Sequence, residues 1–170
     1  MNISRLVVAA ALAATAVPTA AAPVSPNNNA NGKALILVPL TLTKIDDLDF
    51  GTLVPSAISG IVAIDATSGN RTLAGGVTGV PSAAGHRARF AGAGTPSQQV
   101  VVVITPPTQL TSGAGDNIQV LALTLEGSPF KTIDPTTRTF AFGVGGILLI
   151  AANQPEGVYQ ATFTVTANYQ

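Results

Sequence analysis

No cysteine occurs in the 170 residues. That removes disulfides, thiolate metal sites and cysteine nucleophiles together, so stability must come from a packed core or from assembly. Tryptophan is absent, and methionine and histidine occur once each, the latter as His86. A lone histidine needs a nucleophile to activate and a carboxylate to orient it, and no G-x-S-x-G elbow or other local motif offers them. The chain therefore reads as a protein that is not an enzyme. Charge is scarce: charged residues make up 9%, and eight basic side chains cancel eight acidic ones. Without a basic stripe to neutralise phosphates, nucleic acid is not an expected partner. No cofactor motif is present either. The glycines of "FGVGGILL" lack the following Lys, Ser or Thr and the helix that a phosphate-cradling loop requires.

What is present is apolar and β-prone. Hydrophobic residues reach 46%, and so greasy and weakly charged a surface is expected to be covered in part by a partner. The opening "MNISRLVVAAALAATAVPTAAA" has one Arg, an apolar run and a small-residue zone, the layout of a secretory signal peptide over residues 1–22. Its apolar run, Leu6 to Val17, spans about 12 residues, short of the ~20 needed to cross a bilayer. Cleavage would leave no membrane-spanning segment and export the rest. Residues 23–33, with "PNNNANG", read as a flexible polar tether. Residues 34–170 read as one domain.

Within that domain, short runs rich in Val, Ile, Thr and Phe alternate with Gly, Pro, Ser and Asn clusters. Strands are expected near 34–43, 49–53, 60–64, 71–73, 87–91, 99–105, 118–125, 139–144, 147–151 and 158–168. The fold class is all-β, an antiparallel sandwich. In "VYQATFTVTANY", Tyr159, Ala161, Phe163, Val165, Ala167 and Tyr169 share one face by the strand period of two. "VVVVI" at 100–104 does not alternate, so it is either a central core strand or one whose outer face meets another molecule. "GVGG" reads as the turn of a hairpin joining 139–144 to 147–151.

Three polar features invite functional readings and have plainer ones. Asp46, Asp47 and Asp49 could share calcium, but "DDLDFG" lacks the D-x-D-x-D-G loop spacing, so no metal site is assigned. Arg87 and Arg89 alternate with Ala88 and Phe90, as two outward arginines on a half-buried strand would. "NRT" at Asn70 matches a glycosylation sequon.

The segments "PLTLTKIDDLDFGTL", "ARFAGAGTPSQQVVVVI" and "IDPTTRTFAFGVGGILLIAANQPEGVYQATFTVTANYQ" resemble a secreted bacterial family, the domain of unknown function numbered 4402. That family in turn resembles subunits of chaperone–usher fimbriae, especially the archaic, spore-coat-protein-U-like group. This second resemblance implies an immunoglobulin-like, Greek-key, pilin-like sandwich that can lack one strand. It implies a structural subunit of a surface fimbrium, with roles in adhesion and biofilm. It also implies partners: other copies of the chain or related subunits, a periplasmic chaperone and an outer-membrane usher. Localisation follows as periplasm in transit, then the cell surface. Such subunits end on an alternating strand with a Tyr near the terminus, as "GVYQATFTVTANYQ" does.

On that reading an apolar N-terminal segment adds as a strand to an open sheet edge of the next subunit. Ala34, Ile36 and Val38, with Leu40 as the last candidate, would enter the groove, and Leu35 and Leu37 would face away. Tyr159, Phe163, Val165 and Tyr169 of the last strand would also take part in partner binding. Burial of Ile36 and Val38 would contribute about 3–6 kcal/mol at ~1.5–3 per side chain. Pro39, unable to donate to a ladder, would mark the boundary. The alternative is a self-complemented secreted sandwich, an adhesion or binding protein whose leading segment folds back on its own sheet.

Overall fold

A computed structural model of the chain describes residues 29–170. The expected signal peptide and the first part of the tether, to residue 28, lie outside the described residues. The chain divides into two compact units between Leu35 and Ile36. In the first, the described residues 29–35 carry no strand and are exposed. The second holds every strand among the described residues.

Eleven strands follow in order: β1 (Thr41–Asp46), β2 (Leu53–Ile64), β3 (Arg71–Gly79), β4 (Ala88–Ala93), β5 (Gln99–Thr105), β6 (Gln109–Ser112), β7 (Asn117–Leu125), β8 (Phe130–Thr132), β9 (Thr139–Ile150), β10 (Tyr159–Gln160) and β11 (Thr164–Tyr169). A single 3-10 turn, Pro81–Ala83, is the sole helical element among the described residues. Every pairing is antiparallel. Eight strands form one curled sheet, β1-β4-β9-β7-β6-β10, with β2 also on β9 and β3 on β2; β11-β5-β8 form a second.

β9 organises the large sheet. Val144 pairs with Ala88 and Leu125, and Ile147 with Ala63 and Ala122, so β7 takes one edge while β4 and β2 take successive halves of the other. Its even-numbered side chains all point one way. Phe140, Phe142 and Val144 enter a core shared with Val100 and Val102 of the small sheet. Leu148 and Ile150, two and four positions after Gly146, enter another core with Val62, Val77 and Ile118. Those last strands all belong to the large sheet, so this end of it closes over on itself. Phe142 stacks on Phe90 at 5.5 Å, and Phe163 meets Phe90 edge-on at 6.2 Å, tying the segment before β11 to the opposite sheet.

The expected hairpin at "GVGG" is therefore corrected: β9 runs through it unbroken. None of Gly143, Gly145 and Gly146 has positive φ. They answer a different demand. A Cβ at Gly145 would lie 2.1 Å from the Ile64 carbonyl oxygen, and one at Gly143 would lie 2.3 Å from that of Ala66. The end of β2 crosses β9 here, backbone on backbone, where no side chain fits.

Other expectations shift as well. The expected strand over 34–43 begins only at Thr41. The expected strand over 49–53 is reduced to a single bridge, Asp49 to His86. The turn-like "PSAISG" lies inside β2, at the register shift between Pro55 and Gly60. Short β6 and β8 carried too few apolar residues to be foreseen. "VVVVI" is central in the small sheet, yet it buries one face, with Val100 and Val102 inside and Val103 49% exposed.

Partly buried polar contacts fasten the loops. The Arg71 guanidinium donates to the carbonyls of Phe50, Thr52, Ala83 and Val80 at 3.0–3.3 Å. Arg87 differs from its expected outward pose: its side chain is 24% exposed and donates to Ala66 O (2.6 Å), Thr67 O and Glu126 Oε2 (3.1 Å). Glu126 Oε2 also accepts the Gly143 N–H at 2.7 Å. Arg89 does stay outward, 3.5 Å from Asp46.

Two exposed carboxylates cap turns. Asp65 accepts from the N–H groups of Ser68 and Thr67 and the Ser68 hydroxyl; Asp134 accepts from the N–H groups of Thr137 and Thr136. These bonds favour the ionised form, the Ser68 N–H most at Asp65 and the Thr137 N–H most at Asp134, and hold both pKa values below the ordinary 3.8. Because the folded pKa is the lower one, this stabilisation is complete above about pH 3.8 and is lost as pH falls through the folded values. Asp65→Asn with Asp134→Asn should flatten the acid limb of a urea-midpoint-versus-pH curve below pH 3.8 and leave its neutral slope unchanged.

Candidate functional site

The last strand supplies the site. β11 pairs with β5 in an unbroken register from Thr164–Thr105 to Tyr169–Val100, and on its other side no strand pairs with it among the described residues. The Gln170 N–H donates to the Gln99 carbonyl at 3.1 Å. Since backbone groups alternate along a strand, Asn168, Thr166 and Thr164 also face β5. The N–H and C=O groups of Val165, Ala167 and Tyr169 therefore aim at the open edge. Their side chains turn inward, half-buried against the shared core, as does Phe163.

Other sheet edges are blunted and this one is not. β1 carries Lys44 and Asp46 and a register shift between them. β8 and β10 are three and two residues long. β3 contains Gly75 at φ +74° opposite the register shift of β2. Short length, charge and irregularity are the usual defences of an edge. "TVTANY" has no charge, no Pro and no bulge. It is a ready template for another strand.

The residues singled out in the sequence fall in three places. Phe163, Val165 and Tyr169 come together along the open edge. Tyr159 does not: the expected strand over 158–168 is split, β10 joining β6 in the large sheet and β11 joining β5 in the small one. Tyr159 packs on the second core, its hydroxyl donating to Pro155 O at 2.7 Å. Ala161, expected to face inward, is exposed at the crossing.

The N-terminal candidates are placed as follows. Ala34 is exposed in the first unit. In the second, Ile36 is 92% and Val38 46% exposed, Leu37 is half-buried, and Leu40 packs against the shared core. Residues 29–40 form no strand, and none of residues 36–40 pairs with β11.

Thr95 was not foreseen. Its N–H donates to the Tyr169 hydroxyl at 2.7 Å, and its Oγ1 accepts the Val38 N–H at 2.8 Å. Such a contact links positions 57 apart in sequence, and no local pattern announces it.

The acidic trio disperses. Asp47 pairs with Lys44 at 2.6 Å, Asp46 lies near Arg89, and Asp49 accepts the Gly51 N–H at 2.8 Å. No group of three metal-ligating side chains converges among the described residues. His86 is exposed, and Asn70 stands on the exposed β2–β3 turn. No helix among the described residues is long and apolar enough to cross a membrane.

Together these features define an all-β, antiparallel, sandwich-like domain with one regular, uncharged edge left unpaired. The chain belongs to the family designated domain of unknown function 4402, which matches residues 40–169. No curated protein and no solved structure matches it.

Proposed function

We propose that the protein is an exported structural subunit of a cell-surface fimbrium that assembles head to tail by strand addition. The observation that carries this reading is the open edge of β11, where the backbone groups of Val165, Ala167 and Tyr169 meet no partner strand among the described residues. An exposed, unpaired edge above a half-covered core gains from an incoming strand twice, by hydrogen bonds and by apolar burial. The same chain carries a segment of that chemistry, "KALIL", with Leu35 and Ile36 exposed. Pairing a copy's segment with this edge is a heterologous contact, so it propagates rather than closes. A periplasmic chaperone would cover the edge in transit, and an outer-membrane usher would exchange it for the next subunit.

Removal of the segment tests the proposal. Protein processed of its leader should form chains visible by negative stain, whereas the same protein lacking residues 27–37 should remain monomeric in sedimentation. Monomers in both cases would favour a self-complemented surface protein.

A further inference from the structure

We infer that Tyr169 and Thr95 clamp the root of the N-terminal segment, so that the strand given to a neighbour ends at Leu37 and Val38 stays with its own subunit; this rests on the strand-addition reading above. Both backbone groups of Val38 are already used at home. Its N–H donates to Thr95 Oγ1 at 2.8 Å, and its carbonyl accepts from the Tyr169 hydroxyl at 2.7 Å. The same hydroxyl accepts the Thr95 N–H at 2.7 Å, so the three residues close a ring of hydrogen bonds. A residue serving in a neighbour's ladder must offer its own N–H and C=O there, or leave them unmet.

The surroundings suit a fixed anchor. Pro39 has no N–H and a set φ, and Leu40 is seated in the subunit's own core. Gly94 leaves the room that this needs: a Cβ there would lie 2.3 Å from the Tyr169 hydroxyl oxygen and 3.0 Å from Leu40 Cδ1. Tyr169 thus works in two directions. Its backbone groups face the edge that receives a strand, and its side chain holds the root of the strand that is given. One residue fixes where the chain of subunits enters and leaves each domain. Tyr169 and Thr95 are positioning residues.

Amide exchange followed by NMR on the processed monomer tests the clamp. The Val38 N–H should exchange well below its free-peptide rate and speed up about tenfold in Tyr169→Phe and in Thr95→Val, the size expected for one lost hydrogen bond. Val100 and Val102 amides, inside the small sheet, should not change and so report that each variant is folded. A free-peptide rate at Val38 in the unaltered protein, or no acceleration in either folded variant, would overturn the clamp. The boundary is tested by assembly: Ile36→Asp should abolish chains and Val38→Asp should preserve them. Loss of chains in Val38→Asp, as in Ile36→Asp, would overturn the boundary at Leu37. If the unaltered protein forms no chains at all, strand addition fails, while the exchange rates still decide the clamp.

Discussion

A processed subunit lacking residues 27–37 is expected to bind the peptide NGKALILVPL in solution, and the intact assembled protein is not. Deleting the segment removes what a subunit offers but leaves the β11 edge that it receives with. The peptide would satisfy the outward groups of Val165, Ala167 and Tyr169 and cover their half-buried side chains. Burial of the one large inward side chain, the peptide's Ile, contributes about 1.5–3 kcal/mol, and about 1.4 kcal/mol changes affinity tenfold. Replacing the peptide's Ile with Asp should therefore weaken binding at least about tenfold. Titration calorimetry or fluorescence anisotropy reads both. A trimmed domain that folds stably and ignores the peptide would mean that its sheet needs no added strand.

A large effect on stability is expected at Gly145. Gly145→Ala should unfold the domain or lower its stability by about 1–3 kcal/mol or more, the usual range for overpacking. The added Cβ meets the Ile64 carbonyl oxygen at 2.1 Å and the Ala66 nitrogen at 2.7 Å. Backbone atoms in paired strands cannot yield as a flexible side chain would. Gly113, with open space around its Cβ position and no positive φ, is the control. Gly113→Ala should be neutral or stabilise by about 0.4–1 kcal/mol through the unfolded chain. Urea denaturation of both decides it, and equal midpoints would contradict the crossing of β2 over β9.

The same glycines show where the sequence could be read and where it could not. Local β-branched composition made β5 legible at both ends, and the inward set Phe163, Val165, Ala167 and Tyr169 followed from a period of two. Phe140, Phe142 and Val144 keep that period, but three glycines after them imitate a turn. Two of them, Gly143 and Gly145, provide clearance for a segment some 80 residues earlier, and Gly146 makes room for the Leu123, Phe50 and Leu48 side chains; no window of sequence contains these neighbours. The break between Gln160 and Thr164 was hidden for a related reason. The alternating pattern continues through it while the chain changes sheets, which moves Tyr159 to a different core from Tyr169.

The open edge itself was legible only as chemistry. An uncharged, regular "TVTANY" could have been a central strand. Only the pairing partners reveal that one of its sides meets no strand among the described residues. The N-terminal candidates were legible as apolar, but not as divided. Leu40 has its own core to fill and Val38 its own hydrogen bonds, whereas Ile36 has neither.

The absence of cysteine from the chain makes the central claim directly measurable. Ile36→Cys combined with Val165→Cys, and separately with Ala167→Cys, places thiols on the given strand and on two successive inward positions of the receiving edge. Opposed side chains of paired strands lie about 4.5–5.5 Å apart, close enough for mild oxidation to join them in one register or the other. Non-reducing electrophoresis of the oxidised, processed protein should show a ladder of covalent multimers in at least one pairing, absent from either single variant. Monomers closed by an internal bond, or no cross-link in either pairing, would contradict assembly by strand addition.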